Sequence, residues 1–178
     1  MLRYKEYTKL LNESGASRSL SRVWQHTQGM SNVGMITAFR GEYSEKQNKL
    51  RNKKLANEIK TNKFGYIHVI GNFIEDYGTD DARKVEEASF FITSNPNDGE
   101  RLKNFLIKMG KKFNQDSIFY KPHDSKDSFL IGTSSGKFPG MGKEIKIGSF
   151  HPSKMGEFYT KMKGHKDKVF TFESFQSK

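Results

Sequence analysis

Cysteine is absent from the chain, which excludes disulfide frameworks, thiolate nucleophiles and cysteine-ligated zinc at once. No apolar run is long enough to cross a bilayer as a helix, so no membrane partner is expected. Internal repeats are missing, and the five histidines at 26, 68, 123, 151 and 165 include no pair at metal-binding helical spacing, so neither a metal nor a cofactor is expected. Acidic residues are the minority, 20 against 31 Lys and Arg, leaving a net charge of +11. That balance favours polyanions, of which nucleic acid is the commonest. Lysine dominates the excess and acts as a point charge, so such binding is expected to be independent of base sequence and sensitive to salt. A lysine-heavy chain also fits plain solvated charge.

What is present is aromatic: fifteen Phe and seven Tyr in 178 residues, enough for one folded domain with an aromatic core. A capping box, Ser44-Glu-Lys-Gln47, opens a helix expected to run to about Thr61. Asn95-Pro96-Asn97-Asp98 is expected to cap a second, from Glu100 to about Phe113, in which Leu102, Phe105, Leu106, Met109 and Phe113 share one face. Strands are expected over Val33–Phe39, Phe64–Ile70, Val85–Ile92, Ser117–Tyr120, Ser128–Ile131, Glu144–Ile147 and Lys168–Phe172. Strands outnumber helices and follow one another late in the chain. The expected class is α+β, a mixed or antiparallel sheet of about five to seven strands with two main amphipathic helices on one face.

The first helix presents a conflict. Asn48, Arg51, Asn52, Leu55 and Ile59 fall on one face, so two amides and a guanidinium stand where apolar residues would pack. Buried polar groups need partners, and Arg51 above all. Along Val85–Ile92, alternation places Glu87 with Ser89 and Glu86 with Phe90; either carboxylate is a candidate to answer Arg51. Together with Gln115, the set Asn48, Arg51, Asn52, Glu87 and Ser89 is a candidate pocket for a nucleotide, sugar or phosphate, or a structural network. No catalytic residue is identified. Gly132-Thr-Ser-Ser-Gly-Lys137 fails as a phosphate loop, with three residues between the glycines where four are needed. Candidate phosphate contacts are Lys49, Lys53, Lys137, Lys143, Lys161 and Lys163. Beyond Pro152, lysines interleave with Phe158, Tyr159, Phe170 and Phe172, a pattern of either a single-strand-binding surface or an ordinary core strand.

Two resemblances add to this reading. Residues 1–13 form a short amphipathic stretch, Tyr4, Tyr7 and Leu11 on one face, ending Leu11-Asn12-Glu13 before a Ser/Gly link. It resembles the capsid-targeting peptides of T-even-type tailed phages, in which a prohead protease cuts after Leu-x-Glu. The resemblance implies cleavage after Glu13, a single α+β domain over 14–178, and a small basic internal head protein located in the virion or, once delivered, in the host cytoplasm. Its expected partners are phage head proteins and DNA. Ile36-Thr-Ala-Phe39, Ser44-x3-Asn48-x2-Arg51-Asn52-x2-Leu55, Gly65-Tyr66, Glu86-Glu87-x-Ser89-Phe90-Phe91 and Phe113-Asn-Gln115-x-Ser117 resemble an uncharacterised bacterial and phage family of unknown function, over residues 33 to 121. Two alternatives stand beside the head-protein reading: an enzyme or effector binding a nucleotide-like ligand through the Asn/Arg/Glu pocket, and a structural virion component.

Overall fold

The computed structural model describes the backbone of residues 31–75, 83–152, 159–162 and 169–172, with side chains in 31–71 and 86–149. The Leu11-Asn12-Glu13 processing site and the segment 1–13 lie outside the described residues, as does Lys163. In chain order the elements are β1 (Asn32–Ile36), α1 (Glu45–Thr61), β2 (Gly65–Glu75), β3 (Arg83–Ser94), a short 3-10 turn (Pro96–Asp98), α2 (Gly99–Lys112), β4 (Ser117–Lys121), β5 (Asp127–Gly132), β6 (Glu144–Pro152), β7 (Tyr159–Met162) and β8 (Val169–Phe172). Every strand pairing is antiparallel, and the strands close into a barrel in the order β1-β3-β2-β7-β8-β6-β5-β4. The class is α+β, as expected. Closure and the extra strand β7 were not legible beforehand.

Local chemistry sets the helix limits. Ser44 Oγ accepts the Gln47 amide proton and Gln47 Oε1 accepts that of Ser44 at 2.9 Å, so both arms of the capping box are made. The helix ends where Lys63 takes a left-handed φ of 58°. The expected cap of α2 is different from what forms. Asp98 sits at the N-cap but makes no side-chain cap bond; its carboxylate accepts from Arg101 Nη2 at 2.9 Å instead. A 3-10 turn holds Asp98 with φ −102° and ψ 16°, not the extended conformation from which a cap side chain reaches back to the helix.

Register sorts the side chains into two faces. Ile36, Phe90, Ile92, Ile118, Tyr120 and Ile131 lie under the helices, where they form one cluster with Leu55, Ile59, Leu102, Leu106 and Met109; Gly34 shares their face. Gly34 is needed for close approach, since a Cβ there would stand 2.3 Å from Leu106 Cδ1. The alternate positions Val33, Met35, Val69, Phe91, Phe119 and Leu130 are also buried, although the two helices pack on the other side. Closure of the barrel removes them from water. The fold therefore has two apolar layers, one between helices and sheet and one in the lumen.

Two consequences are measurable. Leu106→Ala is expected to cost about 2–5 kcal/mol by emptying the helix–sheet layer at Gly34, while exposed Leu50→Ala should stay within about 0.5 kcal/mol; urea midpoints compare them. Burial, aided by the charges of Glu100, Asp124 and Glu144, pushes the Tyr120 phenol up to about 12. The unfolded chain ionises that phenol near pH 10 while the folded chain keeps it neutral, so stability is expected to fall between about pH 10 and 12. Tyr120→Phe should flatten that fall in urea midpoints taken at about pH 9 and 11.

Candidate functional site

Chain leaving β1 loses its strand partners after Ile36, yet residues 37–40 run beneath α1, where an unpaired backbone group is costly. Side chains supply most of the bonds, with the Tyr43 amide donating to the Arg40 carbonyl at 3.2 Å as a backbone addition. Asn52 Oδ1 accepts the Ala38 amide proton at 2.8 Å, and Asn52 Nδ2 donates to the Ala88 carbonyl at 2.7 Å. Arg51 Nε donates to the Ala38 carbonyl at 2.7 Å, and its Nη2 to the Phe113 carbonyl at 2.6 Å. Thr37 Oγ1 accepts from the Phe39 amide, and Gln115 Nε2 donates to the Phe39 carbonyl at 3.1 Å. Asn48 completes the set, accepting from the Arg40 amide at 3.0 Å while donating to the carbonyls of Arg40 and Tyr43.

This clamp explains the polar face of α1. Its position is a consequence of helical spacing: Asn48, Arg51 and Asn52 share the face that continues as Leu55 and Ile59, and together they meet a strand-like segment at its hydrogen-bonding edge. Neither Glu86 nor Glu87 answers Arg51. Two backbone carbonyls do, with the Tyr43 ring 4.4 Å from the guanidinium carbon. Of the two expectations for these residues, a ligand pocket or a structural network, the bonds favour the network: Asn48, Asn52, Arg51 through Nε and Nη2, and Gln115 through Nε2 all bond this chain's own backbone. Thr37 and Arg40 belong to the same structure and were not singled out from sequence. Arg40 reaches Asp116 at 2.8 Å and Glu42 at 3.2 Å. Burial pulls its guanidinium down, but these carboxylates more than offset that and leave it raised.

Glu87 and Ser89 stand apart from the clamp, on the lumen face of β3 with Phe91. Ser89 is buried and donates to the Glu87 carbonyl at 3.2 Å. Glu87 is half-buried, and the residue directly across from it on β2 is Gly71, which has no side chain to fill the space beside the carboxylate. Glu86 points the other way and is exposed, beyond the T-shaped contact between Tyr66 and Phe90. Neighbouring carboxylates thus lie in two environments, Glu86 exposed and Glu87 half-buried on the lumen face. Among the described residues no group of three or more His, Asp or Glu could hold a metal.

The lysines expected to touch phosphate are spread over several elements. Lys49 pairs with Glu45 on the exposed side of α1, where Lys53 is exposed too; Lys137 and Lys143 lie in the loop between β5 and β6; Lys161 is in β7. The clamp itself is testable: Asn52→Ala leaves the Ala38 amide buried without an acceptor and is expected to cost about 1–3 kcal/mol in urea unfolding. Exposed Asn57→Ala on the same helix should change the midpoint little.

The model of the S-Adenosylmethionine lyase family matches residues 34–176, and no curated protein sequence matches the chain. The match overturns the expectations of a basic internal head protein, of a structural virion component and of nucleic-acid binding, because it spans nearly the whole described domain and carries an enzymatic description. It favours the alternative of an enzyme with a nucleotide-like ligand.

Proposed function

Since the chain belongs to the S-adenosylmethionine lyase family, we propose that it cleaves a carbon–sulfur bond of S-adenosylmethionine without water, releasing a neutral thioether. The family match over residues 34–176 is the observation that carries this reading. The substrate is a sulfonium cation with an adenosine group, so a site for it needs negative charge, apolar surface and exclusion of water.

The lumen end of β3 supplies candidates for each part. Glu87 is assigned to orient the sulfonium, Ser89 to support the strand beside it, and the Phe91 layer to supply apolar wall. When the bond breaks, its electron pair goes to sulfur and the positive charge there disappears. The other charge consumed is a negative one, whether it belongs to a base removing a proton or to an internal carboxylate displacing sulfur. A reaction in which opposite charges cancel is favoured by an environment that solvates charge poorly, because the starting ions lose more on desolvation than the transition state does. Water exclusion also separates lyase chemistry from hydrolysis.

Purified protein incubated with S-adenosylmethionine in oxygen-18 water should give a thioether and a fragment whose masses sum to that of the substrate, less any proton exchanged, with no heavy oxygen incorporated. Incorporation of oxygen-18 would mark a hydrolase, and an unconsumed substrate would end the proposal. Glu87→Gln is expected to lower kcat/KM at least tenfold, equivalent to about 1.4 kcal/mol. Glu86→Gln, on the opposite face of the strand, should lower it much less.

A further inference from the structure

The barrel lumen holds a second polar pair, which the fold leaves incomplete. On β4, Lys121 shares the lumen face with Phe119; on β5, Ser128 shares it with Leu130. Tyr120 and Phe129 are paired across these strands, so the next positions, Lys121 and Ser128, stand side by side. Val33 lies across from Lys121 on the other flank. Lys121 is 3% exposed and Ser128 0%. Among the described residues Ser128 Oγ has no hydrogen-bond partner. The Lys121 ammonium donates to one acceptor, the Pro122 carbonyl at 3.2 Å, and no carboxylate among the described residues forms an ion pair with it.

An ammonium has three donors, and a buried one is costly unless a counter-charge answers it. Here burial pushes the amine down, and the charge of exposed Asp124 counters this only in part. Water would satisfy the hydroxyl and leave the charge unanswered. A dianion such as phosphate would bring more charge than one lysine balances. A carboxylate suits both groups, one oxygen accepting from Nζ and the other from Oγ, with Val33, Phe119 and Leu130 as apolar surround.

We infer that Lys121 and Ser128 form a carboxylate-binding site inside the barrel. The carboxylate has two sources: a free small acid, or the amino-acid end of S-adenosylmethionine; the second rests on the lyase reading and would place the sulfonium near Lys121, not at Glu87, which lies six residues further along β3, about 20 Å.

Thermal midpoints of the full chain, measured in sodium acetate and in sodium chloride at equal ionic strength, test the site. Acetate is expected to raise the wild-type midpoint saturably. Lys121→Met, verified as folded by circular dichroism, should lose the response, and Ser128→Ala should need several-fold more acetate for the same shift. Calorimetry with S-adenosylmethionine and its decarboxylated analogue separates the sources. A tenfold or greater loss of affinity in Lys121→Met for the substrate alone assigns the carboxylate to it, while unchanged affinity for both, with the acetate response lost, assigns a free acid. If neither acetate response nor substrate affinity depends on Lys121, the inference is overturned; should Lys121→Met fail to fold, Ser128→Ala decides by the same comparisons. A protein that answers acetate through Lys121 yet does not consume S-adenosylmethionine keeps this site and removes the lyase reading.

Discussion

A strand with buried phenylalanines on both faces cannot rest on a single layer, and β3 is such a strand. Phe90 and Ile92 meet the helices while Phe91 and Ser89 face away from them, and all four are almost fully buried. Helices can cover one face of a sheet. Covering the other without a third layer requires the sheet to curl onto itself, and the eight strands close. On the face the helices do cover, Gly34 leaves room for Leu106 and so lets α2 approach the sheet.

Closure has a consequence for chemistry. A lumen lined by Val33, Met35, Phe91, Phe119 and Leu130 is a poor solvent for ions, so any charge placed at its margins is held there for a reason of structure or of function. Glu87 and Lys121 are two such charges of opposite sign, on different strands. They stand at different levels of the barrel: Lys121 is in register with Val33 and Thr93, six residues along β3 from Glu87, about 20 Å at the usual rise of a strand, so they serve separate sites.

The polar face of α1 resolves in a different way. Asn48, Arg51, Asn52 and Gln115 resemble a binding site when read as residue types, because amides and a guanidinium recognise ligands by the same bonds with which they recognise backbone. In the folded chain they substitute for a missing strand along residues 37–40, where β1 has ended and no neighbour offers a ladder. A side-chain clamp of this kind is specific to one segment of backbone, so it fixes the path by which the chain passes from β1 to α1.

The linear sequence by itself determined the α+β class, the two helices, the capping box at Ser44, the opposite facing of Glu86 and Glu87, and the need of Arg51 for a partner. These depend on periodicity and on short-range hydrogen bonds, which involve residues a few positions apart. Tertiary structure alone decided which partner Arg51 takes, because the Phe113 carbonyl lies 62 positions away and a carbonyl carries no mark in a sequence. It also decided that the helix-free face is a lumen, and that Lys121 and Ser128 are neighbours within it, since alternation along a strand says which residues share a face but not whether the sheet closes over them.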